Sequence, residues 1–325
     1  MYTFEYLQTE VNKAFETEIF VKEPKDLYEP VYYALESGGK RLRPVLALMA
    51  YNLFNEDISQ IVKPVLGLEI FHNFTLIHDD IMDKADIRRK KPTVHKKWND
   101  NVAILSGDAM FIKAYEYLFQ YQGEHFREVI QTFNQTALKV CEGQQYDMNF
   151  ETQEDVTEEE YLKMIELKTA VLIAASLKIG AFMGSASDED VQRLYNFGLY
   201  MGMAFQLQDD FLDTFGDPDV FGKKIGGDIA ANKKTYLYIK ALETSDETDS
   251  QKLKKVFRSD YSGKTEEKVR QVTDVFKKNN VDQITKSKIE EYFGRAYEAL
   301  NSINVRKEKK QKLLELADRL VKRRV

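Results

Sequence analysis

Two short clusters hold the residues of this chain best suited to chemistry. Asp79-Asp80-Ile81-Met82-Asp83 and Asp209-Asp210-Phe211-Leu212-Asp213 repeat one pattern, DDxxD. Residues four apart on a helix lie about 40° apart and one turn along it, so Asp79 and Asp83 share a face, as do Asp209 and Asp213. Like charges at that spacing repel, and aspartate is a poor helix former. Both clusters follow largely apolar segments, Glu69-Ile70-Phe71-His72-Asn73-Phe74-Thr75-Leu76-Ile77-His78 and Met203-Ala204-Phe205-Gln206-Leu207-Gln208. Carboxylates placed mid-helix in such surroundings are destabilising unless cations compensate them. Oxygen donors without thiolates suit Mg²⁺, a hard ion that keeps waters and takes substrate phosphates. A single DDxxD could equally be an exposed acidic helix end, but two copies with apolar flanks argue against that.

A metal that takes phosphate implies basic partners, and they occur in compact groups. Gly38-Gly39-Lys40-Arg41-Leu42-Arg43-Pro44 reads as a turn into a helix start, where free N–H groups join Lys and Arg in a favourable anion site. Arg88-Arg89-Lys90-Lys91 follows the first acidic cluster and breaks its helix. Lys168-Thr169 interrupts an apolar helix, where a lysine needs a partner. Lys223-Lys224 follows the second cluster, ahead of Gly226-Gly227-Asp228 and Lys233-Lys234-Thr235. His72 lies about 20° off the face of Asp79 and two turns away. It could bond an anion near the metals, although a lone histidine on an apolar helix is more often a satisfied core residue. His78 points elsewhere and reads as structural, while Trp98 and Cys141 read as packing residues.

Helices must position these groups. The 325 residues carry 47 Lys+Arg against 53 Asp+Glu, a net charge of −6, with 43% hydrophobic residues. That balance excludes disorder, and a pI near 5.5 disfavours nucleic acid as a partner. One cysteine excludes an intrachain disulfide and a cysteine-based zinc site. No basic-then-apolar leader opens the chain, and no apolar run approaches the ~20 residues of a membrane span, so a cytoplasmic protein is expected. The six prolines stand at 24, 30, 44, 64, 92 and 218, leaving 93–217 and 219–325 without any. Such gaps suit long helices, where an interior proline costs about 3 kcal/mol. Apolar spacing predicts a buried helix over 160–182 and another over 190–215, where Gly198 and Gly202 either allow close packing or are simply tolerated. The run 306–312 reads as solvated helix faces. The expectation is an all-α protein, one domain over 1–325, of about ten to thirteen helices.

In order, GGKRLRP, E-x-x-H-x-x-x-L-x-H-D-D-x-x-D, RR, KT, Q-x-x-D-D-x-x-D and GKKIGGD run from about Gly38 to Thr235. This set resembles the trans-isoprenyl diphosphate synthases, the family of farnesyl and geranylgeranyl diphosphate synthases. The resemblance implies helices around a central cavity, a homodimer, three Mg²⁺ ions per site, and head-to-tail condensation of isopentenyl diphosphate with dimethylallyl, geranyl or farnesyl diphosphate. It implies that Asp79, Asp83 and Asp209 hold metal, supported by Asp80, Asp210 and Asp213. Arg88, Lys168 and Lys223 would clamp the allylic diphosphate, and Lys40, Arg43, His72 and Arg89 the isopentenyl diphosphate. Thr169 and Gln206 would stabilise the cation developing at allylic C1, with Lys168 and Lys223 assisting catalysis. Gly143-Gln144 and Asp147 resemble a family segment near the cavity. Lys322-Arg323-Arg324 either folds over the site or is a frayed end.

Two residues, not four, separate Asp80 from Asp83, unlike the typical bacterial farnesyl synthase. Chain length in the family is set one to two turns before the first aspartate, here at Phe71, Phe74 and Thr75. Thr75 lies about 40° from the direction of Asp79, and Phe74 about 140° away, so the wheel alone does not aim Phe74 at the cavity. Phenylalanine beside a small neighbour resembles the C20 arrangement, two adjacent aromatics the C15 one, and a small residue at 74 a C30 or longer one. Tyr115 and its neighbours in 110–118 could also limit the floor. Geranylgeranyl diphosphate is the expected product and farnesyl diphosphate the alternative. A class I terpene cyclase typically lacks GGKRxRP and a second DDxxD, and non-catalytic partner subunits usually lose one acidic cluster.

Overall fold

The structure is a computed structural model describing residues 1–18, 20–217, 225–258 and 264–321. Helices α1 (Phe4–Thr17), α2 (Lys25–Glu36), α3 (Leu42–Asn52) and α4 (Val62–Met82) open the chain. The short α5 (Val94–Lys97) and the longer α6 (Asp100–Leu118), α7 (Phe126–Thr152), α8 (Glu158–Ile165), α9 (Val171–Met183) and α10 (Asp188–Phe215) follow. Later helices span Gly227–Ala230, Tyr236–Thr244, Glu247–Val256, Thr265–Lys278, Val281–Asn301 and Lys307–Val321. The first long proline-free stretch thus holds the longest helices, as anticipated. Their starts follow capping chemistry. Thr3 accepts from the Tyr6 N–H, Asn99 from the Val102 N–H, and Thr157 forms a reciprocal box with Glu160.

By its contacts the chain forms two compact units. The first comprises Met1–Phe133, Ser176–Gln192 and Asn304–Lys312, and the second Asn134–Ala175, Arg193–Ile303 and Leu313–Val325.

In the first unit, α4 is the central element. Val65, Leu66, Leu68, Ile70 and Phe71 on it are fully buried, each contributing roughly 1.5–3 kcal/mol. It lies antiparallel against α6, and two small residues set the spacing. A Cβ on Gly67 would sit 2.5 Å from the Ala114 carbonyl oxygen, and one on Gly107 would sit 2.3 Å from Nε2 of His78. His78 therefore packs onto α6, with Nε2 3.1 Å from the Ile104 carbonyl, which agrees with a structural role.

Two local features depart from the sequence reading. Residues that merely broke a helix form a two-stranded antiparallel hairpin, β1 (Ile87–Arg88) and β2 (Lys91–Pro92), paired Ile87 to Pro92 and Arg88 to Lys91. Its turn residues Arg89 and Lys90 have φ of 50° and 64°, the positive pair that a two-residue I′ turn demands. The buried helix expected over 160–182 is also not continuous. Glu166–Ala170 is a π-helical turn between α8 and α9, and it carries Lys168 and Thr169. Such turns disrupt the regular ladder and recur at functional sites.

In the second unit this turn is approached from two sides. A Cβ on Gly143 of α7 would sit 2.2 Å from the Lys168 nitrogen, and one on Gly202 of α10 would sit 2.5 Å from the Ala170 Cα. Gly202 is therefore a close-packing residue. Cys141, read as a packing residue, is exposed on α7. The charge run 306–312 is mostly exposed, but Lys310 is buried and Nζ of Lys309 donates to the Leu53 carbonyl at 3.0 Å. Among the described residues no helix is long and apolar enough to cross a membrane.

The backbone oxygen facing Gly67 cannot move aside, so Gly67→Ala should cost roughly 1–3 kcal/mol. Gly294→Ala is the control, since nothing lies within 4 Å of a Cβ there. Thermal melts should show a clear loss for the first and no loss for the second.

Candidate active site

The first acidic cluster is not mid-helix, as the sequence reading had it. Asp79 and Asp80 lie in the last turn of α4, and Asp83 is its C-cap. The second lies in the final turns of α10, which ends at Phe215. Helix C-termini already carry about half a unit of negative charge from unsatisfied carbonyls. Carboxylates added there raise the local demand for cations.

The two clusters handle their middle aspartates alike. Asp80 and Asp210 are each 4% exposed. Asp80 accepts from Nε of Arg88 at 2.7 Å, and Nη2 of the same guanidinium lies 3.7 Å from Oδ2 of Asp79. Burial raises the pKa of Asp80, against the lowering effect of Arg88. Asp210 accepts from the Tyr161 hydroxyl on Oδ2 and from Nε2 of Gln206 on Oδ1 at 3.0 Å. Burial, then the charge of Asp228, pushes its pKa well above the ordinary range. The outer aspartates are more open: Asp83 is exposed, and Asp79, Asp209 and Asp213 are half-buried.

The hairpin aims two adjacent arginines in different directions. Arg88 turns back to Asp79 and Asp80, while Nη1 of Arg89 donates to the Gly38 carbonyl. The Gly38 and Gly39 turn, with φ of 72° and 136°, receives that guanidinium, whose nearest atom would lie 3.0 Å from a Cβ on Gly39. Burial pushes the Arg43 guanidinium down to about 10. Burial, then the fields of Arg43, Arg89, Arg88 and Arg41, holds His72 well below the usual histidine value. His72 is therefore a neutral ring in a cationic neighbourhood at pH 7. Arg43, His72 and Arg89 are thus brought together in the first unit beside the first acidic cluster, and Lys40 lies exposed on the connecting turn. The lining of a cavity of about 40 Å³ includes Asn73, Asp80, Arg88 and Arg89.

In the second unit the π turn presents Lys168 and Thr169. Nζ of Lys168 pairs with Oδ2 of Asp147 at 2.5 Å. The Thr169 hydroxyl donates to Oε1 of Gln206 at 3.1 Å, and Gln206 in turn holds Asp210. Tyr161, Asp210, Gln206 and Thr169 form one hydrogen-bonded chain. The carboxylate of Asp213 accepts from the Asp228 N–H at 2.9 Å, tying the Gly226-Gly227-Asp228 turn to the second cluster. Lys234 is used elsewhere, its Nζ donating to the Phe150 carbonyl at 2.6 Å. Lys223 and Lys322-Arg323-Arg324 lie outside the described residues.

Before the first aspartate stands a cluster of rings. Phe71 is fully buried, 5.5 Å from Phe74, 5.8 Å from Phe111 and 5.1 Å from Phe133. Phe74 stacks on Phe111 at 5.2 Å, and Tyr115 meets Phe111 at 5.5 Å and Phe133 at 4.9 Å. The Thr75 hydroxyl is turned back onto the His72 carbonyl at 2.8 Å. The segment 110–118 that the sequence singled out supplies Tyr115 and, four residues before it on the same helical face, Phe111. Sequence reasoning missed the role of Tyr161, which carries no signal until the fold brings it to Asp210, and Asp228 stood in a quoted motif without its tie to Asp213.

The donor set fits Mg²⁺. It is carboxylate oxygen throughout, and among the described residues no three acidic, histidine or cysteine side chains close into a cage. Mg²⁺ needs no such cage, because waters and phosphates fill its shell. Removing the Tyr161 hydroxyl leaves a buried carboxylate short of a donor. Tyr161→Phe should therefore cost about 1–3 kcal/mol in the metal-free protein. Adding Asp210→Asn should recover part of that loss, as thermal melts of single and double variants would show.

A family model described as polyprenyl synthetase matches residues 24–276. The geranylgeranyl diphosphate synthase of Methanosarcina mazei is 43% identical over 235 residues, 72% of each chain. That of Sulfolobus acidocaldarius is 36% identical over 326 residues, covering 99% of this chain and 98% of its own. A crystal structure of a geranylgeranyl pyrophosphate synthase superposes with a TM-score of 0.93 at 41% identity, covering 98% of both chains. That solved relative has the all-α isoprenoid synthase fold expected from the sequence. Together with the DDxxD clusters that end α4 and α10, the match over residues 24–276 means that the chain belongs to the polyprenyl synthetase family of prenyltransferases.

Proposed function

We propose that the protein condenses isopentenyl diphosphate head to tail (1′-4) with allylic diphosphates and releases the C20 product, geranylgeranyl diphosphate. The observation that carries the reading lies within the first unit. An acidic helix end and a cluster of arginines stand side by side, linked by Arg88 on Asp79 and Asp80. A metal diphosphate needs both. Family membership and the names of the relatives support the reaction and the product. The single catalytic domain over 1–325, the homodimer and the cytoplasmic location belong to the same proposal.

In this reading Asp79, Asp83 and Asp209 would hold three Mg²⁺ ions per active site, with Asp80, Asp210 and Asp213 as their supports. When bound, Mg²⁺ neutralises charge on a departing diphosphate. The side chains of the chain do the rest. Arg88, Lys168 and Lys223 grip the allylic diphosphate, and Lys40, Arg43, neutral His72 and Arg89 hold the isopentenyl one. The allylic C1–O bond breaks, and its electron pair leaves with the diphosphate. The Thr169 hydroxyl and the Gln206 carbonyl oxygen stabilise the delocalised cation, held ready by Asp210 and Tyr161. The isopentenyl double bond attacks C1, and a proton passes to the released diphosphate. No protein nucleophile is required.

Phe71, Phe74 and Thr75 set the floor of the tail pocket, with Phe74 braced on Phe111. Purified protein with Mg²⁺, labelled isopentenyl diphosphate and each allylic primer should give a dephosphorylated C20 alcohol. Chelation should abolish the product and added Mg²⁺ restore it. An absence of condensation would refute the synthase reading, and a dominant C15 or C30 product the C20 assignment. Phe74→Ala should lengthen the product, whereas unchanged length would move the floor to Phe111 and Tyr115.

A further inference from the structure

The arginines beside the first acidic cluster pose an electrostatic problem. Arg41, Arg43, Arg88 and Arg89 lie close enough for their fields to act on His72 and on one another. Without a bound anion such a group repels itself, and burial of the guanidiniums adds to the cost. Arg88 is answered by Asp79 and Asp80. The others face a different carboxylate. Glu69 on α4 is 2% exposed, and its Oε1 accepts from Nη1 of Arg41 at 3.2 Å and from Nδ2 of Asn73 at 3.4 Å. Asn73 also bonds the Glu69 carbonyl at 2.8 Å, so the side chain is fixed from one side. Its second oxygen, Oε2, is buried and accepts no hydrogen bond, as Nε of Arg43 is buried and makes none. Nη2 of Arg41 is fixed in turn by the Leu35 carbonyl at 2.6 Å, and its guanidinium lies over the Phe15 ring at 4.7 Å.

We infer that Glu69 is a positioning residue: the shared counter-charge that keeps Arg41, Arg43 and Arg89 assembled as a receptor for the diphosphate of the non-allylic substrate. This rests on the function proposed above. Its carboxylate touches Arg41 directly. Its field is also the leading attraction acting on both Arg43 and Arg89, ahead of that of Asp80 for Arg89. Glutamate suits this task because it is too far from the acidic cluster's open face to compete for metal: it precedes Asp79 by ten residues, nearly three turns of α4.

Two effects of removing the charge oppose each other. Loss of Glu69 makes the local field more positive, which would attract diphosphate. It also removes the direct partner of Arg41 and the carboxylate whose field offsets Arg43 and Arg89, and breaking a buried pair is costly. The inference requires the second to win. Glu69→Gln keeps the shape and the bond to Asn73. It should raise KM for isopentenyl diphosphate on the order of tenfold or more, with kcat and KM for the allylic substrate nearly unchanged. Calorimetric binding of isopentenyl diphosphate should weaken by the same factor, and Glu69→Asp should recover part of it. Equal or tighter binding by Glu69→Gln would overturn the inference, and so would a uniform fall in kcat and rise in both KM values. If Glu69→Gln does not fold, Glu69→Asp is read by the same split: a selective rise for isopentenyl diphosphate supports the inference, and no selective rise overturns it. Failure of the wild-type protein to bind isopentenyl diphosphate at all would instead refute the proposed function.

Discussion

Negative charge collected at helix C-termini is the constraint from which the rest of the site follows. The carbonyls that end α4 and α10 already point a partial negative charge outward, and each helix adds aspartates in its last turns. No helix propensity or packing term favours that choice. It is tolerable when cations stand opposite, and in the first unit the protein supplies one, Arg88 against Asp79 and Asp80. In the proposed function, a divalent cation meets the rest of that demand.

Within each cluster the labour is divided by burial. The middle carboxylate is enclosed and committed to protein donors, so it fixes geometry. The outer carboxylates are more accessible, as oxygen donors to a hard cation must be. The second unit extends the arrangement to an uncharged group. Tyr161 holds Asp210, Asp210 holds Gln206, and Gln206 receives the Thr169 hydroxyl. The π turn makes this possible by lifting Lys168 and Thr169 out of the regular ladder, and Gly143 lets α7 approach its backbone.

Much of this was legible in the sequence. The proline gaps foretold long helices, and the spacing of DDxxD foretold paired carboxylates. The basic groups could be named because charge beside apolar residues needs a reason. What escaped was conformation without a compositional mark. The hairpin turn uses Arg89 and Lys90 where glycine or asparagine would have signalled positive φ, at a strain of roughly 1–3 kcal/mol per residue. The π turn differs from an α-helix by one inserted residue, which apolar periodicity over 160–182 does not resolve. Glu69 was visible as a letter in a motif but not as a counter-charge. Its partners Arg41, Arg43 and Arg89 come from two distant segments that only the fold brings together.

The proposed function turns on the acidic helix ends binding diphosphate through a divalent cation, beside the direct grip of the arginines. Calorimetry with inorganic diphosphate tests it most directly, because no carbon chemistry is involved. The account predicts that Mg²⁺ tightens binding on the order of tenfold or more and that Asp79→Asn removes this gain. Equal affinity with Mg²⁺ and with chelator, in protein that remains folded, would contradict it.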